Sequence, residues 1–108
     1  MSFNGLLKDI RNIKTEEIRS YSEDYVEVVV NKQNLESLCF LLEAYFGFPA
    51  KAGGDEPSQE AVNLSQSYGG IRKNQTLYFL RHDDGSNGLA FLWPWGNGEL
   101  TTAKIVRE

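Results

Sequence analysis

Three strand-like segments close to one another in the sequence constrain the fold of this chain most strongly. They cover residues 75–82, 88–93 and 99–107. The two segments between them, 83–87 and 94–98, are rich in Asp, Asn, Gly and Pro, the residues that favour tight turns. Because short turns join neighbouring antiparallel strands, the sequence predicts a three-strand antiparallel meander.

One further strand and two helices are predicted before the meander. The β-branched run at residues 25–30 favours a strand. Residues 35–46 are mostly apolar, follow helix-capping side chains and stop before Gly47, so they predict a helix. Residues 57–68 begin with proline, end before a glycine pair and predict a second helix.

The remaining segments complete the predicted order of elements. Residues 1–13 predict an amphipathic helix, because apolar side chains recur there at helical spacing. Residues 14–24 are polar and predict a connector, and residues 50–56, which are small, charged and glycine-bearing, predict a mobile loop. Since helices and meander are segregated, we expect a single α+β domain over residues 1–108, with an antiparallel sheet of about four strands packed with two or three helices.

Net charge, the N-terminal residues and the cysteine and histidine content argue against several classes of protein. The formal net charge of −4 repels a phosphate backbone, so no nucleic-acid partner is expected. The first residues contain no long apolar run, which argues against a membrane partner or a secretion signal and favours a cytoplasmic location. Cys39 is the only cysteine and His82 the only histidine, so a four-ligand zinc site within the chain is impossible and no cofactor is expected.

Both faces of the predicted sheet carry large apolar groups. Leu89, Phe91 and Trp93 lie on one face of the middle strand, and Ala90 and Leu92 lie on the other. Such a sheet needs a cover on each face. The second cover is the N-terminal helix, a second copy of the chain, or a ligand bound in an aromatic groove. The predicted helix at 35–46 is likewise apolar around nearly its whole circumference, so it should lie in the middle of the core or be covered by a partner.

Aromatic residues near the second turn suggest a function. Tryptophan and neighbouring aromatic side chains bind well because they bury much apolar surface at little entropic cost. The first hypothesis is a non-enzymatic interaction or assembly module, acting as a homodimer or with a protein partner. The alternative is a small-ligand-binding domain with an aromatic pocket. The candidate contact surface consists of Tyr78, Phe91, Trp93 and Trp95, with polar contacts from Arg72, Arg81 and His82.

Candidate catalytic residues are sparse. His82 is followed by Asp83 and Asp84, but adjacent residues on a strand point apart, so a direct His82–Asp83 side-chain pair is not expected. Cys39 lies between Leu38 and Phe40 in an apolar helix, which is typical of a buried structural thiol. The sequence therefore predicts that the protein is not an enzyme.

Overall fold

The computed structural model describes residues 2–108. This part of the chain contains three α-helices, one 3₁₀ turn and five strands, which confirms the α+β prediction. In chain order the elements are α1 (Phe3–Arg11), β1 (Glu17–Tyr21), β2 (Tyr25–Asn31), α2 (Lys32–Phe46), α3 (Gln59–Ser65), the 3₁₀ turn (Gln66–Tyr68), β3 (Thr76–Arg81), β4 (Asn87–Pro94) and β5 (Leu100–Arg107).

All five strands form one antiparallel sheet with the order β1-β2-β5-β4-β3. The meander is confirmed, and β2 joins it beside β5. The sheet has five strands where about four were predicted, because β1 lies in the segment predicted as a connector. Strand β1 is an edge strand whose side chains are mostly exposed, so it lacks the apolar alternation that reveals a strand in a sequence.

The helices begin and end at residues with clear capping roles. Ser2 Oγ accepts a hydrogen bond from the Gly5 amide at 3.0 Å and so starts α1; residue 1 of the predicted helix lies outside the described residues. Asn31 Oδ1 accepts from the Asn34 amide at 2.9 Å and starts α2. Helix α2 then ends before Gly47, whose φ of 80° favours glycine. Helix α3 is shorter than predicted, since the chain tightens into the 3₁₀ turn.

One face of the sheet is covered by α1 and α2 together. Side chains of β2, β4 and β5 on this face pack against both helices in one buried cluster. Register places Val28, Ala103 and Leu92 side by side across the three strands. The helices contribute Phe3, Leu6, Leu7, Ile10, Leu38, Leu42 and Phe46 to the cluster. The N-terminal helix therefore shares a face with α2 and does not cover the other face.

The second face is covered by the chain's own α3 and 3₁₀ turn. Ala61 of α3 packs with a group of buried strand residues, and Leu64 and Tyr68 pack at the edge of this cluster. The strand residues are Leu77, Leu89, Phe91 and Val106. The second cover predicted from the sequence was the N-terminal helix, a second copy of the chain or a bound ligand, and α3 was not among these alternatives. The buried cluster spans β3, β4 and β5, while the side of this face near β1 and β2 carries Arg19, Tyr25 and Glu27.

The segment 50–56, predicted as a mobile loop, is tied to the sheet and to the loop before β3. Lys51 forms an isolated antiparallel bridge with Leu77, and the Gly54 amide donates to the Lys73 carbonyl at 2.7 Å. The Lys51 side chain is only 3% exposed. These contacts anchor the segment, and its mobility stays a prediction. Within residues 2–108, no helix is long and apolar enough to cross a membrane.

Candidate functional site

The four aromatic residues predicted to form one contact surface lie on two different faces of the sheet. Tyr78 belongs to the cluster beneath α1 and α2 and is 3% exposed, whereas Phe91 belongs to the cluster beneath α3 and is 0% exposed. Burial raises the pKa of Tyr78 to about 12. This placement corrects the predicted surface: Tyr78 and Phe91 are core residues, and only Trp93 and Trp95 remain partly accessible.

Trp93 and Trp95 both lie on the α3 side of the sheet and are held there by polar neighbours. Trp95 Nε1 donates to Thr102 Oγ1 at 2.8 Å. Lys104 Nζ lies 4.3 Å from the centre of the Trp93 ring, and Arg19 Cζ lies 5.6 Å from that of Trp95. Such cation–π contacts stabilise the rings against the sheet.

A half-buried carboxylate, Glu27, balances the cations beside the tryptophans. Tyr25 Oη donates to Glu27 Oε1 at 2.6 Å, and Lys104 Nζ and Arg19 Nη1 lie 3.9 and 3.6 Å from its oxygens. Burial, followed by the bond to Glu27, raises the pKa of Tyr25. Because these charges are compensated within the sheet, this cluster presents little free charge to a ligand.

The three predicted polar contacts are divided between two sites. Arg72 lines a small cavity next to Trp93. Arg81 and His82 lie at the other end of the sheet, in a groove of about 510 Å³ where Phe3, Tyr45 and Arg107 also converge. The sequence grouped these residues because they lie in or beside the meander, but their strands carry them to separate ends of the sheet.

His82 stands in a hydrogen-bond chain that joins α2 to the β3–β4 hairpin. Ser86 Oγ donates to Asp84 Oδ1 at 2.6 Å, so it accepts from His82 Nδ1 at 2.8 Å. This tautomer, inferred from the bonding pattern, leaves His82 Nε2 to accept the Tyr45 hydroxyl at 2.5 Å. Close approach of the ring requires Gly88, where a Cβ would lie 3.0 Å from His82 Nε2.

The groups in and near this groove are not activated for nucleophilic chemistry. Burial raises the pKa of the Tyr45 hydroxyl in the groove and of the Cys39 thiol, which lies elsewhere on α2, so both stay protonated at neutral pH. Hydrogen bonds from Ser86 lower the pKa of Asp84, which stays ionised, and Asp83 is exposed. Among residues 2–108, no group of three or more His, Cys, Asp or Glu side chains could hold a metal ion. The arrangement orients His82, and the expectation that the protein is not an enzyme stays a prediction.

The outer face of α2 and the residues just beyond the helix carry the two most exposed large apolar side chains of residues 2–108. The inner face buries Leu38, Leu42 and Phe46. The Phe40 side chain, on the opposite side, is 72% exposed, and Phe48, just beyond the helix, is 93% exposed. Apolar composition around the whole helix predicted a cover on both sides, and the structure supplies a cover on one.

A groove runs beside Phe40, where the end of α1 meets α2. It has a volume of about 480 Å³. Its apolar lining comes from Ile13, Phe40 and Leu41, and its polar lining from Gln33, Glu36 and Ser37. This size lies within the range of about 300–1,000 Å³ that is usual for ligand sites. The groove therefore offers apolar contacts beside the carboxylate of Glu36, which forms no ion pair with the described residues.

No protein-family model matches the chain, and no curated protein or solved structure shows significant similarity to it. Its function is therefore inferred from its residues and their geometry alone.

Proposed function

We propose that the protein is a non-enzymatic interaction module that docks the apolar side of a basic amphipathic helix from another protein onto the outer face of α2. The observation that carries this proposal is the exposure of Phe40 and Phe48, at 72% and 93%. Single apolar residues scattered over a surface are ordinary, but two rings this exposed, one of them beside the apolar lining of a groove, support an interaction site here.

Burial of the two rings supplies part of the binding free energy that a stable complex needs. Burying one phenylalanine side chain contributes about 1.5–3 kcal/mol, so two contribute about 3–6 kcal/mol. A complex with a dissociation constant of about 1 μM needs about 8.2 kcal/mol. The remainder has to come from further contacts, which Ile13 and Leu41 in the adjacent groove can supply.

Charge around the groove defines the chemistry of the partner. Between residues 33 and 50 the only charged side chains are Glu36 and Glu43, and Lys32, the first residue of α2, is its only basic one. Neither glutamate forms an ion pair within the described residues. A partner helix with Lys or Arg beside its apolar residues would complement them, as in other helix-in-groove complexes.

A second copy of the chain fits this surface less well. Phe40 lies between Glu36 and Glu43 in the sequence. A two-fold axis through Phe40, with the two copies of α2 antiparallel, would bring Glu36 of one copy close to Glu43 of the other. Like charges placed opposite one another destabilise an interface. We therefore favour a foreign partner over a homodimer.

The experiment is a binding titration with labelled model peptides, followed by fluorescence anisotropy. One peptide carries leucines at helical spacing flanked by lysines, and its twin carries glutamates in place of the lysines. We expect saturable binding of the lysine peptide to the native chain. The double variant Phe40→Ser, Phe48→Ser should weaken this binding at least about tenfold, because it removes the two anchor rings.

Val62→Ser is the matched control, because it removes another exposed apolar side chain, 42% exposed, from α3. It should leave the affinity unchanged. Because Phe40 and Phe48 are largely exposed, their variants should keep the fold, with stability changes of about 0.5 kcal/mol or less. Equal affinity for the two peptides, or undiminished binding by the double variant, would rule out the proposal.

A further inference from the structure

A second site lies on the opposite side of the molecule from α2, where the 3₁₀ turn meets β4. It is a cavity of about 170 Å³ lined by Tyr68, Gly69, Gly70, Arg72, Gln75 and Trp93. The two glycines turn the chain sharply, with φ values of 93° and 83°. Gln75 Oε1 accepts from the Arg72 amide at 2.8 Å and fixes the far wall.

The indole of Trp93 supplies the unusual feature of this cavity. Trp93 Nε1 is buried and has no hydrogen-bond partner among the described residues. Trp95 Nε1, two residues further along the chain, donates to Thr102 Oγ1 at 2.8 Å. Because an unpaired buried donor opposes folding, most such groups find a partner. The contrast between the two indoles leaves the Trp93 N–H as an unpaired donor beside the cavity that Trp93 lines.

The lining side chains that keep a free polar group are donors. The Arg72 guanidinium forms no ion pair within residues 2–108. Gln75 uses its oxygen to hold the Arg72 amide, which leaves its amide hydrogens free. Tyr68 is already engaged, since its hydroxyl donates to Glu108 Oε2 at 2.5 Å. The free side chains therefore favour a ligand that accepts hydrogen bonds.

Size and charge restrict the ligand further. The cavity is smaller than the range of about 300–1,000 Å³ that encloses drug-sized molecules, so it admits one small group. Arg72 is cationic, and Lys104 Nζ lies 4.3 Å from the centre of the Trp93 ring, although Lys104 also pairs with Glu27. A phosphate monoester would bring a charge of about −1.5 to −2, more than the single unpaired guanidinium balances. A carboxylate matches both the charge and the planar fork of arginine.

We propose that this cavity binds a carboxylate group, held by the Arg72 guanidinium and the Trp93 indole N–H. The proposed site corresponds to the alternative hypothesis from the sequence, a small ligand held by aromatic and basic groups, which stays a prediction. It is independent of the partner proposed for α2, because the two sites share no residue. A carboxylate from a free metabolite and one from a peptide side chain would be recognised by the same donors.

The test follows the two indole N–H signals in ¹H–¹⁵N spectra while chloride is exchanged for acetate at constant ionic strength. Trp95→Phe assigns the two signals. The Trp93 signal should move downfield and saturate, because its proton gains an acceptor. The Trp95 signal should stay in place, because its proton is already bonded to Thr102. Arg72→Gln should weaken acetate binding at least about tenfold.

Arg81→Gln is the matched control: Arg81 is also exposed and lies on another part of the surface, so acetate binding should be unchanged. A capped peptide with one glutamate that binds more tightly than acetate would identify a protein side chain as the source. Weaker peptide binding would identify a free carboxylate. Lack of saturation, equal movement of both indole signals, undiminished binding by Arg72→Gln, or tighter binding of inorganic phosphate than of acetate would overturn the proposal.

Discussion

At the scale of single residues, burial keeps several tyrosine hydroxyls protonated. The pKa values of Tyr25, Tyr45, Tyr68 and Tyr78 are all raised, and burial is the largest cause for each. For Tyr68, whose pKa is about 12, the hydrogen bond to Glu108 adds to this effect. Since the unfolded chain releases these protons more easily than the folded one, stability falls as the pH rises above the ordinary tyrosine range.

Tyr78→Phe isolates one of these contributions. The Tyr78 hydroxyl makes no hydrogen bond to the described residues, so the variant should match the native stability at pH 7 within about 0.5 kcal/mol. The pKa of Tyr78 is raised from 10.0 to about 12. Its contribution is therefore intact below pH 10 and lost as the pH rises through 12. Urea unfolding at pH 7 and at about pH 11.5 should show that the native protein loses about 2 kcal/mol more than the variant. Equal losses would contradict the assigned shift.

The alternation of side chains along β4 predicts the face on which each aromatic residue lies, but it does not predict whether that face is covered. The sequence placed Phe91 and Trp93 on one face of β4, and the structure shows both on the α3 side. Their burial could not be predicted in the same way, because α3 was not recognised as the cover. A helix with few apolar side chains gives little sign of the face on which it lies, so Phe91 was expected at a surface that α3 occupies.

At the scale of elements, one buried lysine joins two loops. Lys51 Nζ donates to the backbone carbonyls of Lys73 and Gln75, the latter at 2.6 Å. Burial lowers the pKa of Lys51, although Asp55 and Glu56 act in the opposite direction. The ammonium group thus adds to the backbone bond between Gly54 and Lys73, supplies the partner of the Gln75 carbonyl, and holds the segment 50–56 against the loop before β3.

Lys51→Met should be more destabilising than its neighbour Lys73→Met. The first variant removes both donated bonds and leaves the Gln75 carbonyl without a partner among the described residues, which costs about 1–3 kcal/mol; the Lys73 carbonyl keeps the Gly54 amide. The second removes a surface ion pair with Glu56, 3.6 Å long and 65% and 78% exposed, and should cost about 0.5 kcal/mol or less. Urea unfolding compares the two, and hydrogen exchange at the Leu77 amide, bonded to the Lys51 carbonyl, reports the local effect. A Lys51 variant as stable as the Lys73 variant would show that this contact is dispensable.

The pattern of apolar residues along α2 determined how much of the docking surface could be predicted from the sequence. The run of apolar residues at 35–46 predicted α2 and the need for a cover. Phe40 is two residues from both Leu38 and Leu42, about 200° around the helix, so burial of those leucines turns Phe40 outward. The sequence does not say which side faces the sheet. Strand β1 was missed for a different reason, since an edge strand is held by backbone bonds that leave little trace in its side chains.

At the scale of the whole molecule, the sheet lies between two unequal covers. Helices α1 and α2 lie on one face, and the smaller α3 with the 3₁₀ turn lies on part of the other. The radius of gyration of 12.8 Å is typical of a compact chain of about 100 residues. Most apolar side chains on both faces of the sheet are therefore buried within one copy of the chain. The apolar surface that remains for a partner lies on the outer face of α2. The cytoplasmic location and the lack of a nucleic-acid partner stay predictions.

The most direct test of this docking role is selection of binders from a random peptide library on the native chain. Counter-selection against the Phe40→Ser, Phe48→Ser variant removes peptides that bind elsewhere. We predict enrichment of peptides with apolar residues at helical spacing flanked by Lys or Arg, since these match the exposed rings and Glu36 and Glu43. Enrichment of acidic peptides, or of none that distinguish the native chain from the variant, would contradict the assignment of α2 as the docking surface.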